Sequence, residues 1–177
     1  PADLLRTDSA ERQVIAQNLI DFDREWSSMM ARRPEDFADP TELERFYVST
    51  AEFPAGFMTQ YEPSMIVGDT AHQELATGYP IGKRFRSSVV SRVADGNPVH
   101  LGHHHRADGR WRVYAFADAA AGTPSALGDW AAWLVSDDAS PLLRHTPVGV
   151  DVDAVFDVKV VYPGSHLAVD LGLVPAV

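Results

Sequence analysis

Apolar residues recur at helical spacing near the start of the chain. Successive members lie 4, 3, 4 and 3 residues apart: Ile15, Leu19, Phe22, Trp26 and Met29. This period predicts a long amphipathic helix that ends near residue 30. Asp8, followed three residues later by Glu11, predicts its start through an N-cap and a capping-box partner. A single helix cannot cover such a stripe by itself, so we expect another domain or a partner chain to pack on it.

A polar linker is predicted over residues 31–40, between this helix and a second one. Asp39 and Pro40 predict the second helix start, with proline at the first helical position. The larger apolar residues on one face of this helix are Leu43, Phe46 and Tyr47. The pattern ends before Pro54, and residues 59–69 are predicted to be extended.

Strand patterns dominate after residue 80. The predicted strands are residues 85–94, 99–106, 110–116 and 151–162, with a turn at 95–98 and a helix at 125–135. Asp108 and Gly109, between the second and third strands, predict a β-hairpin there. The almost wholly apolar run from residue 111 to 116 predicts a central strand buried on both faces. Together these elements predict an α/β or α+β sandwich preceded by two helices.

Acidic residues outnumber basic ones, 25 to 15, and the formal net charge is −10. This charge disfavours nucleic acid and anionic membranes as partners, because both require clustered lysine and arginine. The densest basic run consists of Lys83, Arg84 and Arg86. We interpret it as the solvated start of a strand.

The chain contains no cysteine. Disulfides, thiolate metal sites and thiol catalysis are therefore excluded, and the composition fits a reducing cytoplasm, which is the expected compartment. No apolar run approaches the ~18 residues of a membrane span. No glycine-rich nucleotide loop occurs in the sequence. Because the chain starts at Pro1 without a methionine, we expect a cloning or processing boundary there.

Four of the seven histidines lie together: His100, His103, His104 and His105. If residues 99–106 form a strand, His103 and His105 share one face of it. With His100 they could begin a metal site, and an independent metal- or small-molecule-binding protein is the alternative hypothesis. No other cluster supplies a further ligand at a recognisable spacing. We therefore interpret the cluster as exposed histidines in one arm of a hairpin, and we expect no bound metal.

Several segments resemble one family in their order and spacing. The sequence ERQVIAQ at residues 11–17 and LIDFDREW at 19–26 resemble the helix that follows the flavin-binding core in the phenol hydroxylase and 3-hydroxybenzoate 4-hydroxylase group. GYPIGKRF at 78–85 resembles the start of that group's C-terminal domain. PVHLGH at 98–103 and ADGRWRVYAFAD at 107–118 resemble its central hairpin. The resemblance covers nearly the whole chain.

The resemblance implies a thioredoxin-like α/β sandwich, a mixed sheet with flanking helices, preceded by two helices and lacking the Cys-x-x-Cys pair. It implies that residues 1–35 belong to a flavin and substrate domain, 36–80 form a helical linker, and 81–177 form the thioredoxin-like domain. The family associates that domain with dimerisation, so a homodimer is expected.

The parent enzymes of this group bind FAD, use NADPH and molecular oxygen, and add a hydroxyl group to a phenolic ring. Residues 66–72 look like the Gly-Asp flavin motif of the group, but they follow the first helix, whereas the family's motif precedes it. We interpret this likeness as a coincidence. No catalytic residue, cofactor-binding residue or cofactor is therefore expected for this chain alone; its expected roles are structural support and subunit contact.

Overall fold

The computed structural model describes residues 2–174 and divides into two compact units, Pro1–Arg86 and Ser87–Val177. The mixed α/β class predicted from the sequence is confirmed by this structure. Of the helices in the described part of the chain, none combines the length and the apolar character that a membrane span needs.

Two helices dominate the first unit: α1, Ala2–Met30, and α2, Glu42–Thr50. The predicted end of α1 is confirmed, but its predicted start at Asp8 is wrong. The helix begins six residues earlier, where Asp3 and Arg6 form a 2.9 Å ion pair one turn apart. Asp8 therefore lies inside the helix, where its carboxylate accepts a hydrogen bond from the Arg12 side chain.

Helix α2 covers the C-terminal half of the apolar stripe on α1. The ring of Phe22 lies 6.1 Å from that of Phe46 and 5.0 Å from that of Phe53. Trp26 lies 5.9 Å from Phe46 and 6.0 Å from Tyr47. Such aromatic pairs add about 0.5–1.5 kcal/mol each beyond the area they bury. Over this half of the helix, the second surface that the stripe needs comes from the same chain.

Residues 59–69 form no strand, and the extended segment predicted there is wrong: six of the eleven have no regular secondary structure and four are bends. Gln60 alone forms an isolated antiparallel bridge, with Lys83. The amide of Tyr61 donates to the carbonyl of Gly82 at 3.0 Å, and Gly82 has a φ of +77°. A Cβ at this glycine would lie 2.1 Å from the Tyr61 carbonyl oxygen, so only glycine fits this close approach.

The second unit contains a hairpin and a parallel strand pair, which are separate two-stranded sheets. Strand β1, Val89–Ser91, pairs antiparallel with β2, Pro98–His100. The turn predicted at residues 95–98 lies between them up to Asn97, since Pro98 already belongs to β2, and Gly96 has a φ of +69°. The predicted strand over residues 85–94 is therefore present only as a three-residue core.

Strand β3, Trp111–Phe116, pairs in parallel with β4, Phe156–Val161. The predicted Asp108–Gly109 hairpin is therefore wrong. The turn exists, with Gly109 at a φ of +82°, but the chain before it is no strand: β2 ends at His100 and a 3-10 helix, Leu101–His103, follows. Burial of β3 on both faces is also wrong, since Trp111 is 61% exposed and Phe116 48%.

The connection from β3 to β4 contains α3, Ala126–Ser136, and α4, Pro141–His145. The helix predicted at residues 125–135 is thus confirmed. The buried apolar residues of this connection are Leu127, Ala131, Leu134 and Leu142. The buried Ser140 hydroxyl joins the two helices: it donates to the Leu134 carbonyl at 2.7 Å and accepts from the Leu143 amide at 3.2 Å.

One face of the parallel pair carries a network of charges. Arg112 of β3 lies opposite Asp157 of β4 in register, with Nε 3.0 Å from Oδ2. The Nε–H is not aimed at that oxygen, so this contact is an ion pair rather than a hydrogen bond. Asp108 accepts from the other end of the guanidinium at 2.7 Å, and Lys159 donates to Asp157 at 2.7 and 2.8 Å. The side chains of Arg112 and Asp157 are only 11% and 13% exposed.

We expect Asp157→Asn to lower the free energy of unfolding by about 2 kcal/mol, because Lys159 would lose its carboxylate partner and Arg112 one of its two in a poorly hydrated site. Urea unfolding at neutral pH would measure the loss. Asp138→Asn is the matched control, since Asp138 is exposed, and its effect should stay within about 0.5 kcal/mol. Equal effects of the two substitutions would contradict a stabilising role for the network.

Candidate functional site

The described structure gives no support to the alternative hypothesis of a metal site at His100, His103 and His105. His103 belongs to the 3-10 helix that follows β2, so the strand that would align it with His105 is absent. His100 and His103 remain neighbours, with ring centres 4.9 Å apart. The Nδ1 atom of His105 instead lies 3.3 Å from the Tyr114 hydroxyl on β3. Between residues 2 and 174, no three histidine or acidic side chains are grouped as metal ligands, so the metal-binding alternative gains no support.

In the described residues, each clear shift moves the pKa of its group further from 7. Side-chain hydrogen bonds from Arg112 and Arg110 and a backbone hydrogen bond hold the pKa of Asp108 well below its usual range. Hydrogen bonds from Arg92 and from the Asn97 backbone lower the pKa of Asp95 in the same way.

The remaining shifts, some downward and some upward, also move the pKa of each group further from 7. Hydrogen bonds from Thr41 lower the pKa of Asp39, and burial raises the pKa of the Tyr162 hydroxyl. Carboxylate partners raise the pKa of three arginines: Arg12, Arg92 and Arg110. A general acid or base at neutral pH needs a pKa moved toward 7. At neutral pH the shifted carboxylates and arginines therefore stay charged and the Tyr162 hydroxyl stays neutral.

One loop between α4 and β4 exposes three aliphatic side chains within five positions. In this valine loop, residues 147–152, Val148 is fully exposed, Val150 is 51% exposed and Val152 is 43% exposed. The loop is a defined turn, because the Val150 amide donates to the Pro147 carbonyl at 3.2 Å. The sequence patterns considered above did not identify the valine loop. The available signal was three valines at every second position, separated by Gly149 and Asp151.

Exposed apolar groups on an ordered loop, together with charges fixed in ion pairs, are typical of a module that contacts another protein surface. Comparison with known families agrees. Residues 59–177 match the family described as phenol hydroxylase, C-terminal dimerisation domain. The match covers more than half of the sequence, and the chain belongs to this family.

Individual relatives extend the likeness to nearly the whole chain. The sequence is 44% identical to a 3-hydroxybenzoate 4-monooxygenase of Comamonas testosteroni, over 98% of this chain and 28% of that protein. It is 29% identical to the FAD-dependent monooxygenase terD of Aspergillus terreus, over 98% of this chain and 30% of the relative. A phenol 2-monooxygenase of Aspergillus fumigatus is 36% identical over 72% of this chain and 23% of its own length. The chain thus spans less than a third of the length of these relatives.

Asp108→Asn should make the second unit less sensitive to acid. The pKa of Asp108 is lower in the folded chain than in the unfolded one. Its contribution to stability is therefore complete above the ordinary aspartate value of about 3.9, and it is lost as the pH falls through the folded value. Thermal melts at neutral and acidic pH would measure this.

The variant should melt lower than wild type at neutral pH and should lose less stability on acidification. Asp138→Asn, at an exposed carboxylate, is the control and should follow the wild-type profile. An acid profile of Asp108→Asn that matches wild type would contradict the assigned role of Asp108.

Proposed function

We propose that this chain is a non-catalytic, C-terminal region of an FAD-dependent aromatic-ring monooxygenase, and that it serves dimerisation and structural support. The observation that carries the proposal is the family match over residues 59–177. The 44% identity to a 3-hydroxybenzoate 4-monooxygenase supports a hydroxybenzoate- or phenol-type parent enzyme. In this proposal the flavin domain of the same polypeptide is one partner of the chain and a second copy of the chain is the other.

FAD belongs to the parent enzyme in this proposal, as it does in the FAD-dependent monooxygenase of Aspergillus terreus. NADPH as the reductant follows from the family resemblance alone. Neither cofactor is assigned to residues of this chain. A cytoplasmic location stays a prediction.

We also propose that residues 81–177 have a thioredoxin-like fold, that 36–80 form a helical linker, and that 1–35 supply a helix to the flavin and substrate domain. The β3–α3–α4–β4 order supports the first of these. Parallel strands joined through helices form a crossover unit, and such units occur in thioredoxin-like sandwiches.

The valine loop is the surface that we assign to subunit contact. Burying the three exposed valines of this turn would be favourable, at roughly 25 cal/mol for each Å² of apolar area removed from water. The loop lies inside the matched range. Its neighbour α4 also exposes Leu143, at 36%.

Sedimentation velocity would test this assignment. We expect the chain to be a dimer at micromolar concentration and Val148→Asp to weaken the dimer tenfold or more, because a carboxylate in an apolar contact is left desolvated. Leu75→Asp is the matched control: Leu75 is 81% exposed and lies in the other unit. A monomeric wild type would overturn the proposed function. A dimer that Val148→Asp leaves intact would overturn only the choice of the loop.

A further inference from the structure

The parallel sheet has only two strands in the described part of the chain, so β4 has an outer edge that faces away from β3. At one end of the pair the Trp111 amide donates to the Val155 carbonyl at 2.9 Å. At the other end the Ala117 amide donates to the Val161 carbonyl, also at 2.9 Å. The odd-numbered residues of β4 therefore use their backbone groups toward β3. The even-numbered residues point theirs outward: Phe156, Val158 and Val160.

This outer edge is open. Among residues 2–174, the outward amides and carbonyls of β4 have no backbone hydrogen-bond partner. Asp157 is buried, but the other residues of the strand are half-buried. Unpaired amides and carbonyls along a strand edge are a template for one more strand, and strand addition at such an edge is a common mode of protein recognition.

The charges of β4 favour a second copy of β4 as the added strand. Of the four strands in the described chain, β4 alone carries both charge signs, with Asp157 and Lys159 on one face. In an antiparallel pair with a two-fold axis at Val158, each Asp157 lies opposite Lys159 of the partner subunit. Strand β3 has a single charged residue, Arg112, so no pairing of two β3 copies matches opposite charges.

The outward groups also restrict the register. Residues that exchange two hydrogen bonds in an antiparallel pair lie opposite each other, so even-numbered residues must face even-numbered ones. The register centred on Val158 meets this condition. A shift of two residues in one direction would place Asp157 opposite its own copy, and the reverse shift would do the same to Lys159. Like charges directly opposite each other are destabilising, so the charge pattern favours the central register.

We propose that β4 pairs antiparallel with β4 of a second copy of this chain, centred on Val158, so that the two parallel pairs join into one four-stranded sheet. Each Lys159, which already donates to its own Asp157, then faces a second carboxylate. The inference rests on the proposed function, because it specifies how the proposed dimer is built. The valine loop ends four residues before β4, so both segments can belong to one two-fold contact.

Single cysteines test the register, and the chain has no cysteine of its own. In the proposed sheet the two Cα atoms of residue 158 lie about 5.5 Å apart, which is within the range of a disulfide. We expect Val158→Cys to form a covalent dimer at micromolar concentration, with oxidised glutathione accepting the electrons of the two thiols. Non-reducing electrophoresis would measure the rate.

Val113→Cys is the matched control. Val113 lies opposite Val158 on β3 and is likewise half-buried. Its two copies would be three strand spacings apart, about 14 Å, so its disulfide should form at least tenfold more slowly. Equal rates for the two variants, or a faster rate for Val113→Cys, would overturn the pairing through β4.

A charge reversal tests the contact between Asp157 and Lys159. Lys159→Glu would place carboxylates opposite each other on both sides of the axis, so we expect the dissociation constant of the dimer to rise roughly tenfold or more. Lys83→Glu makes the same change in net charge at an exposed residue of the other unit, and it should dimerise like wild type. Sedimentation velocity would compare them, and unchanged dimerisation of Lys159→Glu would contradict the register.

The cysteine variants alter no charge, so they still test the pairing if Lys159→Glu does not fold. Sedimentation of the wild type separates this inference from the proposed function. A monomeric wild type would overturn both. A dimer that Val158→Cys does not trap would overturn only the strand pairing.

Discussion

The ion pair between Arg112 and Asp157 decides how the second unit is connected. It joins two residues that are opposite each other in the parallel register, and its members are almost excluded from water. A charge in such a position destabilises the fold unless a partner of opposite sign is present. Asp108 before β3 and Lys159 on β4 complete the neutralisation. One guanidinium group thus links the turn to both strands in their observed register.

This pairing between distant residues explains why the hairpin predicted at Asp108–Gly109 is wrong. The Asp108–Gly109 turn was found correctly, but turn chemistry does not identify the strand that pairs with the segment after it. Arg112 pairs with a carboxylate from residue 157, and no local signal contains that information. Within the predicted strand 151–162, Asp157 and Lys159 have the pattern of polar positions on an exposed face, although Asp157 is 9% exposed. Period-2 patterns separate two faces of a strand, but they cannot tell a wet face from one filled by ion pairs.

Local signals succeeded where local contacts suffice. The 3.6-residue period located the end of α1, and the helix predicted after residue 125 has its N-cap at Ser125, whose hydroxyl accepts from the Gly128 amide.

Site prediction was weaker. His103 and His105 were aligned on a strand that does not form. Lys83 and Arg84 were interpreted as the start of a strand, yet Lys83 forms only an isolated bridge, with Gln60 more than twenty positions earlier in the chain. Spacing along the chain cannot report such a contact.

The parallel pairing has a consequence for how the chain is made. Strand β3 ends at Phe116 and β4 begins only at Phe156. At roughly 5–20 residues per second on a ribosome, Arg112 and the edge of β3 wait several seconds before their partner strand is synthesised. During that interval an unpaired strand with an exposed tryptophan at its start is open to wrong contacts. The helices between the strands emerge first and can cover part of that surface. Nascent chains stalled just before residue 156 should therefore be the stage at which this unit most needs a chaperone.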